Sequence, residues 1–430
     1  MVEIENKIQR YETYKDSGIA WLGDIPKEWE ILPSKRFHKV EKQLNKNRHC
    51  DNVLSLTLRG VVNNNPDAPI GMVPKDYATY QVFDKNDLVF KLIDLENVKT
   101  SRVGIVHEKG IMSSAYIRLI IGKDNFARYA YYYFFSLYIN EVYNNLGSGV
   151  RSTLGPNDLL NIPFIKPSLQ EQTAIAQFLD DKTTKIEEAI GIKKQQISLL
   201  KERKQILIHK AVTQGLSPNV NLKDSGVEWI GEVPEHWEVT KAKYYSTIFV
   251  PERAKPDLNT ESYGYPWVTT EHLRSVELFE TAVTYYVSNN SINKTGSRII
   301  GANSVIATCV GNFGIASKLN FDCIINQQIQ GFTNLKVDPN YLTYLVRLSE
   351  DYFKNNSTLT TIMYVNKDTF GNMPISLPPI SEQKEIAEYI EKASRKIETA
   401  ISLKQQEIAR LKEYKSSLIN SAVTGKIKVS

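Results

Sequence analysis

The chain contains an internal duplication, which limits its possible folds more than any other feature. Residues 15–31 read KDSGIAWLGDIPKEWEI and residues 223–239 read KDSGVEWIGEVPEHWEV, with nine identities in 17 positions. Residues 163–213 align without a gap to residues 374–424, with 23 identities in 51 positions. The two offsets, 208 and 211, differ by three, so the 430 residues form two copies of one unit. A solenoid repeat has ~20–50 residues, so this long period indicates a tandem duplication.

Between the matching blocks, residues 32–160 and 240–371 share little beyond scattered aromatic positions. Each copy therefore has a variable part followed by a constant part. Short runs rich in branched and aromatic residues, separated by Gly and Asn, are typical of strands. The predicted strands are residues 87–92, 102–106, 115–121, 304–308 and 323–326. We predict a mixed α/β (α+β) fold for both variable parts.

One helix is predicted in each variable part. Residues 128–138 (RYAYYYFFSLY) match residues 340–348 (NYLTYLVRL) at an offset of 212, which pairs Tyr129 with Tyr341 and Tyr132 with Tyr344. The interleaved aromatic residues are compatible with base stacking. A core helix packed on a sheet is the favoured interpretation.

The constant block is predicted to be a long helix, residues 170–213 and its copy, with Ser168 and Ser381 as N-caps. Apolar residues recur at spacings of three and four, a pattern typical of a coiled-coil seam. A stripe this narrow needs a partner helix, and two copies of one unit tend to pair about a pseudo-twofold axis, here in antiparallel orientation. The alternative is two long helices that each pack on their own domain. The predicted seam residues are Ile186, Ile190, Ile197, Leu200, Leu207, Ile397, Ile401, Ile408, Leu411 and Leu418.

Composition narrows the class of protein. The net charge is 53 − 48 = +5, a mild basic excess that allows a nucleic-acid partner without requiring one. Three cysteines cannot form a disulfide framework, and six scattered histidines show no metal-ligand spacing. No apolar run approaches ~18 residues, and the first ten residues lack the apolar segment of a secretory signal. We expect a reduced, cytoplasmic protein without a metal site.

Common catalytic motifs are missing from the sequence. It contains no phosphate-binding G-x-x-x-x-G-K-[ST], no G-x-G-x-x-G, no G-x-S-x-G and no Pro-Pro-aromatic motif of an amino-methyltransferase. Two variable lobes on a fixed helical element suit a ligand whose two halves differ while their separation is constant. DNA is such a ligand, because two sites on one face of the duplex are separated by multiples of about 34 Å.

The sequence resembles a known family, the specificity subunits of type I restriction-modification enzymes. The resemblance covers the whole chain. It rests on the W-x-G-x-x-P-x-x-W blocks in residues 15–29 and 223–237, on the helix entries at 161–172 and 372–383, and on the helix exits at 211–213 and 422–426. Copy one departs slightly, with KPS at 166–168 where copy two has LPP.

The resemblance implies that each variable part is a target recognition domain that reads one half of a split DNA sequence, while an antiparallel coiled coil sets the gap. It also implies double-stranded DNA, two methylation subunits and two restriction/translocation subunits as partners. S-adenosylmethionine is expected in the methylation subunits, and ATP with Mg in the translocating subunits. The chain itself is expected to be non-catalytic and to hold no cofactor.

The same reasoning gives domain boundaries. We predict an N-terminal conserved segment at 1–30, target recognition domain 1 at 31–165, and a central conserved helical region at 166–222. Target recognition domain 2 follows at 223–376, including the repeated start at 223–239, and a C-terminal conserved helical region occupies 377–430.

Contacts with DNA are expected from basic side chains for phosphates and from Arg, Lys, Asn, Gln, Ser or Thr for bases. Exposed basic residues are often only solvated, and Gln327 with Gln328 is alternatively a buried polar pair. In the first lobe the candidates are Arg59, Lys91, Lys99, Arg102, Arg151 and Thr153. In the second lobe they are Arg253, Lys255, Thr269, Asn312, Lys318, Gln327 and Lys367.

The repeated tryptophans Trp21, Trp29, Trp229 and Trp237 are predicted to pack each lobe on its helix. Two other functions remain open from the residues alone. One is a two-lobed protein-binding scaffold that does not read DNA sequence, and steep salt dependence of DNA binding would argue against it. The other is an enzyme with an unrecognised site, for which the sequence offers no support.

Overall fold

The structure, a computed structural model, describes residues 9–65, 68–69, 74–93, 95, 101–146, 153–358 and 362–429. The chain divides into two compact units. Unit 1 comprises Met1–Lys194 with Gln405–Ser430, and unit 2 comprises Gln195–Lys404. Below, lobe 1 denotes residues 31–165 and lobe 2 denotes residues 240–376.

Unit 1 contains twelve described strands and three short helices ahead of a long one. The strands are β1 (Tyr14–Asp16), β2 (Asp24–Pro26), β3 (Glu30–Pro33), β4 (His38–Val40), β5 (Leu54–Thr57), β6 (Gly60–Asn63), β7 (Gln81–Phe83), β8 (Leu88–Phe90), β9 (Val103–Ile105), β10 (Gly110–Met112), β11 (Ile117–Ile121) and β12 (Pro163–Lys166). The helices are α1 (Ala127–Ile139), α2 (Val142–Leu146), α3 (Pro156–Asn161) and α4 (Leu169–Gln214), the last of which continues into unit 2.

Unit 2 follows a similar order, with thirteen described strands and with helix α5 inserted among them. Its strands are β13 (Leu222–Asp224), β14 (Glu232–Pro234), β15 (Glu238–Lys241), β16 (Thr247–Phe249), β17 (Leu258–Asn259), β18 (Tyr265–Val268), β19 (Glu277–Leu278), β20 (Tyr286–Val287), β21 (Val305–Thr308), β22 (Ala316–Leu319), β23 (Ile324–Ile325), β24 (Ile329–Thr333) and β25 (Pro374–Leu377). Its helices are α5 (Asn289–Thr295), α6 (Pro339–Leu348), α7 (Glu350–Asn355), α8 (Lys367–Gly371) and α9 (Ile380–Val423), the last of which ends in unit 1.

The sheets show that the duplication includes the variable parts. The central sheet of lobe 1 has the order β4-β11-β8-β9, and that of lobe 2 has the order β16-β24-β21-β22 with β19 added at the edge. In both units a hairpin precedes the lobe (β1-β2, β13-β14), and a two-stranded sheet closes it (β3-β12, β15-β25). The mixed α/β prediction and the duplication are therefore confirmed, with strands shorter than the predicted segments.

The two long helices pair antiparallel within each unit. In unit 1, Lys193 pairs with Glu407, and the Lys415 ammonium lies 2.8 Å from Glu187. In unit 2, the Lys204 ammonium lies 2.6 Å from Glu398. The sums of the paired numbers are 600 to 602, as expected for helices that run in opposite directions. These lysines occupy seam positions, where a nearby carboxylate compensates their charge.

The predicted seam residues of this helix pair are buried to different extents. Ile186, Ile190 and Leu418 are buried in the core of unit 1, and Ile408 and Leu411 pack against it. Leu207 packs against the core of unit 2. Four residues nearer the unit boundary have intermediate exposure, namely Ile197, Leu200, Ile397 and Ile401.

A tryptophan joins each start segment to its long helix. The indole N–H of Trp29 donates to Glu171 over 3.2 Å, and that of Trp237 donates to Glu382 over 2.9 Å. Both indoles are buried, and both acceptor carboxylates are partly exposed. The packing prediction is wrong for Trp21, which is 39% exposed, while Trp229 is partly buried.

The starts of the long helices differ. Ser168 forms a capping box, since its hydroxyl accepts the N–H of Glu171 over 3.3 Å while the Glu171 carboxylate returns to the Ser168 N–H over 3.2 Å. The prediction of Ser381 as an N-cap is wrong, because α9 begins one residue earlier, at Ile380. The position equivalent to Ser168 is Pro379, which has no side-chain acceptor.

The aromatic helix α1 belongs to the core. Tyr129, Tyr132 and Tyr133 are buried, and so are Tyr341 and Tyr344 of the matching helix α6. The hydroxyl of Tyr129 donates to the carbonyls of Ile165 and Val423, at 3.0 and 3.4 Å. The core interpretation is therefore confirmed, and base stacking by these rings is wrong.

Gly425 closes unit 1 by allowing the end of α9 to meet the first hairpin. Its φ is +72°, and a Cβ at this position would overlap Pro26 and come within 3.0 Å of Trp29. Its carbonyl accepts the Tyr14 hydroxyl over 3.0 Å, and Lys428 N–H donates to Gln9 over 2.7 Å. A side chain therefore conflicts here both with the backbone and with the packing.

We expect Gly425→Ala to lower the free energy of unfolding of unit 1 by roughly 2–4 kcal/mol, combining a left-handed conformation with overpacking. The matched control is Gly18→Ala, whose φ is +70° but whose Cβ would meet nothing within 4 Å. It should cost only about 1 kcal/mol. Urea denaturation measures both, and equal losses would contradict the packing argument.

His38 makes the stability of unit 1 depend on pH. Its ring packs edge-on against Phe164 with centroids 4.6 Å apart, and burial lowers the pKa of His38 to about 4. The Gly122 N–H donates to Nδ1 over 3.4 Å, which fits a neutral ring protonated on Nε2. The unfolded chain binds this proton near pH 6.5, so stability is lost as the pH falls from about 6.5 towards 4.

We expect the wild-type protein to lose about 1–3 kcal/mol from this group between pH 7 and pH 5. His38→Leu should remove that part of the pH dependence, whereas His49→Leu, at an exposed histidine, should retain it. Thermal unfolding across the pH range measures the difference. An unchanged pH profile in His38→Leu would refute the assignment.

Candidate nucleic-acid interface

Loops at one end of the sheets in lobe 2 bring several predicted DNA-contact residues together. Thr308, the last residue of β21, lies opposite Ile329, the first of β24, and β18 ends beside β23. The chain leaves β16, β18 and β21 and enters β24 at this same end. We define the lobe-2 edge as residues 250–256, 269–272, 309–314 and 326–328. It contains Arg253, Lys255, Thr269, Asn312 and Gln327.

Hydrogen bonds connect the loops of the lobe-2 edge. The Gln327 side-chain amide donates to the carbonyls of Glu252 and Arg253, at 3.3 and 3.1 Å. The Asn326 N–H donates to the Val268 carbonyl over 3.0 Å, and the Cys309 N–H donates to Gln328 over 2.8 Å. The edge is therefore a connected surface rather than four independent loops.

The predicted residues of this edge are accessible. Arg253, Lys255, Asn312 and Gln327 are exposed, so the buried-pair alternative for Gln327 is wrong. Thr269 is partly exposed and precedes a short 3₁₀ helix, with its hydroxyl 3.1 Å from Nδ1 of His272.

Lys367 follows a segment of the chain that is hydrogen-bonded to the lobe-2 edge. It is the first residue of α8 and is exposed. Two residues earlier, the Val365 N–H donates to the Cys309 carbonyl over 3.0 Å, which attaches this segment to the edge.

The structure corrects the prediction that Lys318 contacts DNA. In β22 it lies opposite Val305, the first residue of β21, and therefore at the end of the sheet away from the lobe-2 edge. Its ammonium lies 3.0 Å from Glu277, and its side chain is 14% exposed. We assign Lys318 to an ion pair of lobe 2 rather than to the reading surface.

Lobe 1 has the equivalent edge, formed where β8 ends. The Lys91 N–H donates to the Arg102 carbonyl over 3.0 Å, and the Leu154 N–H donates to Leu92 over 2.9 Å. The latter bond matches that between Val365 and Cys309 in lobe 2. Lys91 is partly exposed here, and Thr153 is exposed.

The prediction that Arg102 contacts DNA is also corrected, because this residue is buried, with 2% exposure. Its guanidinium donates to the carbonyls of Lys91 and Ile93, the latter over 3.2 Å, so it stabilises the loop after β8 instead of presenting its charge to DNA. Two further candidates, Lys99 and Arg151, lie outside the described residues.

Arg59 lies elsewhere on lobe 1. It is exposed at the turn between β5 and β6, and it lines a groove with Ser101 and Arg128. The turn itself is held by the Thr57 hydroxyl, which accepts the Arg59 N–H over 3.1 Å.

The structure adds residues that the sequence reasoning omitted. Tyr364 is exposed beside the lobe-2 edge, where it bridges to Val310, and Asn326 and Gln328 flank Gln327. The offset of 211 aligns Tyr364 with Thr153, so the candidate chosen in the first copy already indicated it. Asn and Gln side chains pair with adenine in the major groove.

Two kinds of feature are absent from the described part of the chain. No group of three or more His, Cys, Asp or Glu side chains suited to a metal ion occurs there. No helix in the same described ranges is long and apolar enough to cross a membrane.

The duplicated lobe and helix define a class of protein with two recognition modules on one helical element. Residues 59–198 and 234–412 match the family model of the type I restriction modification DNA specificity domain. These matches cover more than half of the chain, which therefore belongs to the family of type I restriction-modification specificity subunits. Its role in DNA recognition follows from that family, and the protein-binding scaffold is not favoured.

Curated relatives agree with this assignment. The chain is 27% identical over 369 residues to the MjaVIII specificity subunit of Methanocaldococcus jannaschii, covering 81% of this chain and 80% of the relative. It is 23% identical over 434 residues to the putative MjaX specificity subunit of the same organism, covering 95% and 96%.

Solved structures agree in fold. A chain from a structural study of complex assembly and conformational transition of the type I R-M system matches with a TM-score of 0.73 at 13% identity, covering 94% of this chain and 99% of that one. The HsdS subunit of Thermoanaerobacter tengcongensis matches with a TM-score of 0.54 at 13% identity, covering 94% and 98%.

Proposed function

We propose that each lobe reads one half of a bipartite DNA target through the equivalent edge of its sheet. The observation that carries this proposal is that the same hydrogen bond attaches the loop before the last lobe helix to the end of the matching strand in both lobes. The framework is thus repeated, while the side chains on it differ. Different side chains on one framework suit two different half-sites.

The family and the residues of this chain support the following assignment of functions to the subunits. The chain itself is non-catalytic in this proposal and binds no cofactor. Two methylation subunits with S-adenosylmethionine would modify the DNA, and two restriction/translocation subunits with ATP and Mg would join them. The paired helices α4 and α9 would set the distance between the half-sites.

In lobe 2, Asn312 and Gln328 carry the side chains best suited to direct readout, because both are exposed amides on the lobe-2 edge, whereas the Gln327 amide donates to the carbonyls of Glu252 and Arg253. Replacing both by Ala should relax one half-site only, because lobe 1 is unchanged. A lost bidentate contact costs about 1–3 kcal/mol, which corresponds to roughly 10–100-fold weaker discrimination at that base.

The measurement is sequencing of DNA methylated by the full chain with its methylation subunits. The matched control is Asn320→Ala, an exposed amide that directly follows β22 at the end of the sheet away from the lobe-2 edge. It should leave the motif unchanged. Relaxation of both half-sites by the double variant would contradict the assignment of one lobe to one half-site.

The helix pair generates a second prediction. Seven residues inserted after Leu200, with seven more after Ile401 in the facing helix, lengthen the pair by about 10 Å at 1.5 Å per residue. The gap in the methylated motif should grow by about three base pairs, while both half-site sequences stay the same.

A seven-residue insertion at 217–220, outside both helices, serves as the control and should leave the gap unaltered. The same sequencing reads both variants. Altered half-site sequences at an unaltered gap would show that the helices do not set the spacing.

A further inference from the structure

Lobe 1 and lobe 2 differ where their matching helices α1 and α6 meet a long helix. On α1 and α4, Tyr132, Asp180 and Thr183 come together in unit 1. At offsets of 212 and 211 the corresponding residues of unit 2 are Tyr344, Glu391 and Ser394. The chemistry of these three positions is therefore the same in both units, namely a phenol, a carboxylate and a hydroxyl.

In unit 1 an arginine of the same chain, Arg128, binds the carboxylate of this group. Arg128 donates from Nε to Asp180 over 2.7 Å, and a second guanidinium nitrogen lies 2.6 Å from the same oxygen. The guanidinium lies over the rings of Tyr131 and Tyr132, 5.2 and 5.1 Å from their centroids. The Tyr132 hydroxyl donates to Asp180 over 2.6 Å and lies 3.2 Å from the Thr183 hydroxyl.

In unit 2 the arginine is absent. Asn340 stands at the position of Arg128, and Thr343 at that of Tyr131. Among the described residues, the buried Oδ1 of Asn340 and the buried Oγ of Ser394 have no hydrogen-bond partner. Ser394 is only 9% exposed. Buried polar atoms are normally paired, so these two unpaired atoms, which line adjoining cavities, indicate an unfilled site.

The space left by the arginine is open. Two adjoining cavities meet at Tyr344, Glu277 and Glu391. Asn340 lines the first cavity, and Ser394 lines the second. Glu391 pairs with Arg395 one turn further along α9, but both side chains of that pair are half exposed or more. An exposed pair of this kind contributes little and exchanges readily.

The first cavity, beside Tyr344, is lined by the carboxylates of Glu277, Asp338, Glu388 and Glu391 and by one lysine, so its lining is net negative even though Glu277 is already paired with Lys318. Burial, and after it the carboxylates of Glu391, Glu277 and Glu398, raise the pKa of Tyr344 to about 12. Arg347 acts in the opposite direction, but its Nε is committed to the Ala316 carbonyl at 2.8 Å. Lys384 lines the first cavity from α9 and is exposed.

We propose that this cavity of unit 2 is a binding site for a guanidinium group supplied from outside the chain. A guanidinium carries five N–H donors in a plane, matches a carboxylate with two parallel bonds and stacks on a phenol ring. Glu391, Asn340 and Ser394 provide the acceptors, and Tyr344 provides the ring. An arginine side chain of a protein partner, or a free guanidinium compound, has this chemistry.

This site goes beyond the proposed reading of DNA, because nucleic acids carry no guanidinium group. It also makes the two units unequal. Unit 1 holds its own arginine in the place where unit 2 accepts a foreign one. The proposal does not depend on the reading edges, since none of the side chains that would hold the guanidinium belongs to the lobe-2 edge, of which only Gly314 lines the second cavity.

Saturation-transfer NMR on the full chain tests the site with three probes. They are acetyl-Gly-Arg-Gly-amide, the same peptide with neutral citrulline, and free L-arginine. The arginine peptide should bind wild-type protein, and the citrulline peptide should bind at least 10-fold more weakly. Equal binding of the two peptides would overturn the proposal. Stronger binding of free arginine than of the capped peptide would assign the site to a small compound, and the reverse order to a protein partner.

Variants locate the binding. Asn340→Arg reproduces the arrangement of unit 1 and should abolish peptide binding, while Glu391→Gln, at a half-exposed side chain, should weaken it at least 10-fold. Arg128→Asn should create a second site in unit 1. Asn290→Ala, far along the chain from these residues, should bind as wild type does. Circular dichroism confirms folding of each variant, and undiminished binding by both Asn340→Arg and Glu391→Gln would refute the site.

Discussion

A buried tyrosine hydroxyl connects the parts of each unit, and the rest of the structure depends on it. In unit 2, Tyr341 donates to the carbonyl of Val212 at the end of α4 and lies 2.9 Å from the Ser376 hydroxyl. In unit 1, Tyr129 reaches Val423 at the end of α9. A helix of the lobe, the strand that closes it and the end of a long helix thus share one polar contact. Leaving such a group unpaired inside a core costs roughly 1–3 kcal/mol.

Much of this architecture follows from the sequence by physical reasoning. The helical repeat of three and four predicts α4 and α9, and the offset of 211 predicts that they belong to equivalent places. The buried residues Gln172 and Gln383 show how far the equivalence extends, since each accepts an N–H of the lobe over 2.8 Å. The duplication preserves this contact although the offset is 212 at the lobe residue and 211 at the glutamine, because both partners were copied together.

The DNA-contact site was less predictable, because the sequence does not show whether a charged side chain is exposed or buried. Arg102 follows a short polar segment typical of a surface loop, yet its guanidinium satisfies two backbone carbonyls inside lobe 1. Lys318 has the composition of a DNA contact, but strand register places it at the far end of the sheet. Register depends on pairing between distant strands, and a local pattern does not specify it.

The exchange of long helices between the units has a consequence for the order in which the protein forms during synthesis. Unit 2 is complete once residue 404 has left the ribosome, because all its segments lie between residues 195 and 404. Synthesis of unit 1 begins first, but unit 1 is completed last. Tyr129 and Gln9 form hydrogen bonds with Val423 and Lys428, which are among the last residues to be synthesised. Lobe 1 therefore spends most of translation without the helix end that covers its core, and it is the part with the longest exposure to chaperones and proteases.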